Sequence, residues 1–124
     1  MKKIALTLIT AIFCMAYALA GGKADFSEKT HNFGNIREAD GMVTAEFPFV
    51  NKGDSPLVII SAVASCGCTR PEYPKQPVAP GESGIIKVTY NPAGRPGEFS
   101  KTVTVRTPEK KIKLRIKGNV IPKN

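Results

Sequence analysis

Two cysteines separated by one glycine are the residues of this chain most capable of chemistry. Residues 65–69 read Ser-Cys-Gly-Cys-Thr, and an arginine follows. Thiols can pair, exchange disulfides or bind a soft metal. The sequence leaves four states open for Cys66 and Cys68: reduced thiols packed as small hydrophobes, a strained non-catalytic disulfide, a redox-active dithiol, and a Cu(I)- or zinc-binding pair. The residues that would support this motif are Ser65, Gly67, Thr69 and Arg70.

The spacing of the two cysteines argues against a role in bracing the fold. In an extended strand, residues two apart lie roughly 6.6 Å from each other, close to the upper limit of about 6.8 Å for a disulfide. We expect the backbone freedom of Gly67 to shorten that gap. A loop this short removes little chain entropy, so a Cys66–Cys68 bond would do little for stability.

Further ligands and catalytic groups are scarce. Tetrahedral zinc needs two ligands beyond the cysteines, and His31, the only histidine, is predicted to be a turn residue. The sequence contains no Ser/His/Asp motif, no glycine-rich phosphate loop and no carboxylate pair in an apolar context. We therefore expect no enzymatic activity, no catalytic residue, no metal and no cofactor.

The first twenty residues have the three parts of a secretory signal. Lys2 and Lys3 precede an apolar run that ends in Ala18-Leu19-Ala20, the small-x-small pattern of a cleavage site. An uncleaved membrane anchor is the alternative, because about 17 apolar residues lie at the lower limit for spanning. We expect cleavage between Ala20 and Gly21. The mature chain, residues 21–124, is then one periplasmic or secreted domain without a transmembrane segment.

The elements that must position the motif are predicted to be strands. All ten prolines and all eleven glycines follow residue 20, which rules out a helical bundle or a coiled coil. Alternating apolar residues predict about seven strands, and hence an antiparallel β-sandwich of immunoglobulin type. Segment 57–64, apolar at almost every position, is predicted to be a central strand covered on both faces. The predicted strands lie around Phe26 and over residues 33–36, 43–49, 57–64, 86–90, 99–105 and 112–117.

Three irregularities are also expected. Pro48 lacks an N–H group, so its strand should lie at an edge or carry a bulge. Lys101 interrupts an apolar alternation, which indicates a second bulge. Four prolines at three-residue steps, from Pro71 to Pro80, favour an extended, polyproline-like connection after the cysteines.

The last quarter of the chain is strongly basic. Residues 100–124 contain eight cations and one anion, and alternation places the cations on one sheet face. Such a face could attract an acidic protein, an anionic polysaccharide or lipid headgroups, or it could protect an edge against aggregation. Nucleic acid is not expected, because no aromatic residues interleave with the cations. The basic face comprises Arg106, Lys111, Lys113, Arg115 and Lys117.

The ordered set of short motifs resembles a known family. It runs through Phe33-Gly34-x-Ile36, Phe47-x-Phe49-x-Asn51-x-Gly53-Asp54, the cysteine motif, Pro80-Gly81-Glu82, Tyr90-Asn91 and Gly97-x-Phe99. In this it is similar to a bacterial domain-of-unknown-function family marked by Cys-Gly-Cys-Thr and related in fold to Hydin and major-sperm-protein modules. The resemblance implies a seven-stranded sandwich in an exported protein, and no established activity or ligand.

Two functions follow as hypotheses. The first is an exported, non-enzymatic module that binds or scaffolds another cell-envelope component, a protein or an anionic surface component. Its contacts would be made by loops 66–80 and 91–97, which proline stiffens. The alternative is a thiol module, redox-active or Cu(I)-binding, centred on Cys66 and Cys68.

Overall fold

The computed structural model describes residues 21–123, so the predicted signal segment and Ala20 lie outside the described residues. A single 3₁₀ turn spans Glu38–Asp40, and the remaining elements are strands. There are eight strands: β1 Ala24–Phe26, β2 Thr30–Arg37, β3 Val43–Asn51, β4 Ser61–Ala64, β5 Thr69–Glu72, β6 Ser83–Tyr90, β7 Gly97–Arg106 and β8 Lys111–Ile121. No helix within residues 21–123 is long and apolar enough to cross a membrane.

The strands form two four-stranded sheets, which confirms the predicted all-β sandwich. Sheet 1 has the order β1-β3-β6-β5, and sheet 2 has the order β2-β8-β7-β4. All neighbours are antiparallel except β2 and β8, which pair in parallel. The strand beyond the expected seven is β5, where the sequence predicted a polyproline-like connection. Pro71 is tolerated there because β5 is an edge strand.

The core forms where the inner faces of the two sheets meet. Alternate residues of β3 and β6 point inward from sheet 1, and alternate residues of β7 and β8 point inward from sheet 2. Tyr90 stacks on Phe99 across the sandwich, with ring centroids 4.1 Å apart and planes 10° from parallel. The fully buried large side chains include Phe47, Phe49, Leu57, Ile86, Val88, Tyr90, Val103, Val105, Leu114 and Ile116.

Two of the predicted irregularities are absent. Strand β3 is interior to sheet 1, and Pro48 is accommodated because it lies one residue beyond the last pair with the short β1, Phe26–Phe49. Its register with β6 continues without a bulge. Lys101 likewise causes no bulge, because β7 and β8 pair continuously from Gly97 to Arg106.

Segment 57–64 is not a central strand. Only Ser61–Ala64 are in β4, which forms the edge of sheet 2 and pairs with β7 alone. Leu57 and Ile59 are buried, but Ile60 and Val63 are 50% and 59% exposed. The apolar composition of segment 57–64 therefore predicted a doubly covered strand wrongly, because Ile60 and Val63 face solvent.

The turn after β3, which we call the Asn51 turn (residues 51–55), is fixed by one buried amide. The side chain of Asn51 is fully buried. Its Oδ1 accepts from the backbone N–H groups of Lys23 (3.0 Å) and Gly53 (2.9 Å), and its Nδ2 donates to the carbonyls of Ser55 and Val78 (both 2.9 Å). All four hydrogen-bonding positions of the amide are thus satisfied, and three chain segments are held together.

Candidate functional site

The cysteines occupy a turn that carries the chain from sheet 2 to sheet 1. We call residues 65–69 the motif turn; it lies between β4 and the start of β5. The N–H of Thr69 donates to the carbonyl of Cys66 at 3.2 Å, which closes a four-residue reversal. Cys68 and Thr69 are buried, whereas Cys66 is half-buried and Gly67 is exposed. The turn therefore has one side in the core and the other in solvent.

The two sulfur atoms lie at bonding distance from each other, and the Cα atoms of Cys66 and Cys68 are 5.4 Å apart. This separation falls inside the range that a disulfide tolerates, about 4.4–6.8 Å. It is shorter than the extended-strand value because the chain reverses here. The expected contribution of glycine flexibility is not needed: Gly67 has a negative φ, and a Cβ there would meet no atom within 4 Å.

Hydrogen bonds tie the motif turn to both sheets. The N–H of Ser65 donates to the carbonyl of Thr102 at 2.9 Å, and the N–H of Thr102 donates to Ser65 Oγ at 3.2 Å. Beyond the cysteines, the N–H of Asn91 donates to the carbonyl of Cys68 at 2.9 Å. The N–H of Cys68 also points at Cys66 Sγ, 3.2 Å away. The bonds to Thr102 and Asn91 thus fix both ends of the turn through backbone and hydroxyl groups.

Two further loops lie beside the motif turn, and together they form what we call the motif end: residues 38–42, 65–69 and 91–97. Glu38 joins the first loop to the third, because its Oε2 accepts from the N–H of Gly94 at 2.8 Å. Its Oε1 accepts from the N–H of Lys123 at 3.1 Å. These backbone donors, Gly94 first, hold the pKa of the exposed Glu38 carboxyl below its usual range.

The motif end carries a shallow cavity of about 210 Å³ beside the cysteines. Arg70 is exposed on β5 and faces Thr89 on β6. Met42, on the rim, is 67% exposed. The lining mixes apolar, charged and amide groups: Met42, Gly67, Cys68, Arg70, Glu72, Thr89 and Asn91.

His31 lies far along the chain from this site, in β2 rather than in a turn, so the turn prediction is wrong. Its ring packs edge-on against Phe33, with centroids 4.6 Å apart. Within residues 21–123, no group of three or more His, Cys, Asp or Glu side chains is placed to hold a metal ion.

The predicted basic face lies on the outer surface of sheet 2. The four cations of β8 are all exposed, and Arg106 of β7 lies directly opposite Lys111. Within residues 21–123 the one salt bridge joins Lys87 to Glu46 at 3.9 Å, so the basic face has no ion-pair partner in the described part of the chain. Edge protection does not explain it, because β8 lies between β2 and β7.

Sequence reasoning missed a larger cavity, about 550 Å³, at the Lys117 end of this face. It lies where β2 pairs in parallel with β8 and their register shifts between Asn32 and Asn35. A Cβ on Gly118 would lie 2.9 Å from the carbonyl oxygen of Gly34 and from the Phe99 ring, so this glycine permits the close approach of β2. An isolated glycine inside a strand pattern is the signal that could have located the cavity.

Comparisons with solved structures place the fold in a wide group. A protein of unknown function from Porphyromonas gingivalis W83 matches with a TM-score of 0.69 and 16% identity, over 80% of this chain and 47% of that one. The VesB protease of Vibrio cholerae matches with a TM-score of 0.59 and 17% identity, over 77% of this chain and 31% of that one. A family 123 glycoside hydrolase from Clostridium perfringens matches with a TM-score of 0.62 and 10% identity, over 83% of this chain and 27% of that one.

This chain thus spans less than half the length of each of these structures, and at such identities the likeness concerns the fold alone. No curated protein matches the sequence. One family does: its sequence model, described as a protein of unknown function (DUF1573), matches residues 24–120, nearly all of the described structure. The chain belongs to the DUF1573 family.

Proposed function

We propose that this protein is an exported, non-enzymatic module that binds another envelope protein through its motif end. The observation that carries the proposal is Gly67. The backbone at Gly67 has a negative φ and open space around it, so the fold has no visible need for a glycine there. A residue without a side chain at an exposed turn lets a partner approach the backbone and the neighbouring sulfurs closely.

The surroundings of Gly67 support a binding surface. Hydrogen bonds fix the motif turn to Thr102 and Asn91, and Glu38 fixes the 91–97 loop. A surface already held in one conformation loses little entropy on binding. Exposed Met42 and Arg70 beside the 210 Å³ cavity add apolar and charged contacts, and both residue types are enriched at interfaces. Export itself would depend on residues 1–20.

Site-specific photocrosslinking in growing cells tests this proposal. A photoreactive amino acid replaces Arg70, which is exposed at the motif end, and a control replaces Ile85, which is 41% exposed on the outer face of sheet 1. The Arg70 probe should give one discrete adduct with an envelope protein, and the Ile85 probe should not. No adduct from Arg70, or the same adducts from both positions, would refute the proposal.

A thiol module is the second candidate, and it is favoured by the sulfur atoms of Cys66 and Cys68 lying at bonding distance. In the exchange we envisage, a thiolate of a partner dithiol attacks Cys66 Sγ, the more accessible sulfur, and Cys68 leaves as a thiolate. The second partner thiol then displaces Cys66. The partner ends as a disulfide, and this protein ends with two thiols.

Counting thiols separates the two candidates. Trapping with an alkylating reagent in cells reports whether Cys66 and Cys68 are oxidised. In Cys68→Ser, the Cys66 thiolate should attack the disulfide of an oxidised partner and release one partner thiolate, and the mixed disulfide should persist because the resolving Cys68 is absent. If Cys66→Ser/Cys68→Ser folds and keeps the Arg70 adduct, and if Cys68→Ser traps no mixed disulfide, the thiol module is excluded and the binding module remains. Loss of a trapped partner when reductant is added would favour the thiol module.

A further inference from the structure

We propose that the outer face of sheet 2 binds a linear anionic polysaccharide. Two features meet on this face. One is the basic column, formed by Lys111, Lys113, Arg115 and Lys117 of β8. The other is the 550 Å³ cavity beside Lys117, which we call the amide cavity. In the proposed complex, a sugar unit occupies the amide cavity and the anionic groups of the polymer lie along the basic column.

The basic column has the spacing of a repeating ligand. Alternate residues of a strand lie about 6.6–6.8 Å apart on one face, so four cations extend over roughly 20 Å. None of them has a salt-bridge partner within the described residues 21–123. The outward positions opposite them on β7, from Ser100 to Arg106, contain no acidic residue. A compact anion would use one or two of these cations, whereas an extended polyanion would use all four.

Hydroxyl groups run alongside the column. Ser100, Thr102 and Thr104 of β7 lie directly opposite Lys117, Arg115 and Lys113, respectively. Arg115 Nη1 donates to Ser100 Oγ at 2.7 Å, which holds the guanidinium across the sheet face. The face therefore offers neutral donors and acceptors next to three of the four positive charges, as a ligand with both hydroxyl and anionic groups requires. Lys111 lies opposite Arg106 instead.

The amide cavity has the polarity expected of a sugar site. It is an open depression on the sheet surface, so a unit within a long chain could enter it from the side. Asn32, Asn35 and Asn119 line it, and each amide can donate and accept, as a sugar hydroxyl does. Glu98 also lines it. Its carboxylate accepts hydrogen bonds from hydroxyls but repels anions, so the charged groups of the polymer belong on the column.

Other polyanions fit this face less well. Strand β8 has neighbours on both sides, so it offers no free backbone edge to an acidic peptide. The outward positions of β7 and β8 between Ser100 and Lys117 contain no aromatic residue on which a nucleic acid base could stack. Their outward side chains are all polar or charged. Val63 of β4 is exposed beside Thr104 on the same face, so anionic lipid vesicles are included as a comparison in the binding test.

This site is independent of the proposed function at the motif end. It lies on the β2 side of sheet 2, whereas the motif turn follows β4 at the opposite edge. The 91–97 loop of the motif end adjoins the amide cavity at Glu98, but the motif end and the cavity share no residue. The residues of the basic column and of the amide cavity belong to neither the motif turn nor its cavity. Failure of one proposal therefore leaves the other standing.

Binding of polygalacturonate to the mature chain tests the proposal, with neutral dextran, poly-L-glutamate and anionic lipid vesicles as comparisons. Calorimetry should detect polygalacturonate binding that weakens with added salt, and none to dextran. Lys113→Gln/Lys117→Gln should reduce affinity about tenfold or more. Lys52→Gln/Lys87→Gln removes the same charge elsewhere and should stay within about twofold.

The amide cavity has its own test. Asn35→Ala and Asn119→Ala should each weaken polygalacturonate binding about threefold or more and leave the weaker binding of poly-L-glutamate unchanged. Circular dichroism checks folding, and Asn35→Ala alone decides if Asn119→Ala does not fold. The proposal is overturned if polygalacturonate does not bind, if poly-L-glutamate or vesicles bind equally well, or if both lysine double variants lose the same affinity.

Discussion

The Asn51 turn and the motif turn are both short reversals with a glycine in the middle, yet the fold uses them differently. In the Asn51 turn, every polar group of the Asn51 side chain is bonded, and a Cβ on Gly53 would lie 2.8 Å from the Cα of Gly22. In the motif turn, a Cβ on Gly67 would meet no atom within 4 Å. Packing accounts for the first glycine and not for the second, and this difference supports the proposal that the motif turn serves binding rather than stability.

The largest expected loss of stability comes from the core, and it is compared here with the loss from removing both cysteines. Leu114→Ala should lower the free energy of unfolding by about 2–5 kcal/mol, because Leu114 is fully buried between the sheets. Cys66→Ser/Cys68→Ser should cost about 1 kcal/mol, because the pair closes only a short loop. Urea denaturation of the oxidised wild type and both variants measures the two costs. A loss from the cysteine variant equal to that from Leu114→Ala would show that the motif turn braces the fold.

The second-largest expected loss of stability comes from removing the buried side-chain amide of Asn51. Asn51→Ala should cost about 2–4 kcal/mol, because it leaves buried backbone donors and acceptors without partners. Asn91→Ala is the matched control: Asn91 also accepts from the N–H two residues on, Ala93 at 3.1 Å, but is exposed. It should cost less than about 1 kcal/mol. Similar losses from both variants would remove the distinction between the Asn51 turn and an ordinary surface turn.

The two glycines give a direct comparison of the turns. Gly53→Ala should cost about 1–3 kcal/mol, because the new methyl group meets the backbone of residues 21–23. Gly67→Ala should change stability by less than about 0.5 kcal/mol, since it points into open space. Thermal melts followed by circular dichroism measure both. A destabilisation by Gly67→Ala as large as that by Gly53→Ala would mean that the fold needs both glycines.

The smallest expected effect is a loss of order in the 91–97 loop as the pH falls. The pKa of Glu38 is lowered in the folded chain by backbone donors, chiefly the Gly94 N–H. The hydrogen bond from the Gly94 N–H to the Glu38 carboxylate therefore stabilises the 91–97 loop fully above the ordinary glutamate pKa. This stabilisation is lost as the pH falls through the lowered pKa of Glu38. Hydrogen-exchange protection of the Gly94 amide should fall in acid, and in Glu38→Ala it should be low at every pH. Glu28→Ala, which alters another exposed carboxylate, should leave Gly94 protected.

Much of the fold follows from alternation of apolar and polar residues. The alternation in Ile112, Leu114 and Ile116 predicted a strand with its cations outward, and the structure places those cations on one face. Segment 57–64 misled the prediction because composition cannot distinguish a strand covered on both faces from an edge strand with exposed apolar residues. Strand β5 was missed because its pairing with β6 is a long-range contact, and Pro71 is an unfavourable residue for a strand.

The candidate sites could be predicted only in part. The Cys-Gly-Cys spacing identified the motif turn, but the sequence could not show that the chain reverses there or that Asn91 bonds to Cys68. The basic column was predicted from alternation alone. The amide cavity was not, because it depends on the parallel pairing of β2 and β8, which joins residues more than 80 positions apart.

The interaction proposed for the motif turn is tested most directly by the Arg70 photocrosslink in a Gly67→Leu background. A Cβ at Gly67 would meet no atom within 4 Å, so we expect the leucine side chain to extend into solvent, leave the fold undisturbed and cover the surface that a partner would touch. We predict an unchanged melting temperature and an Arg70 adduct reduced to the level of the Ile85 control. An undiminished adduct in a folded Gly67→Leu protein would contradict the account.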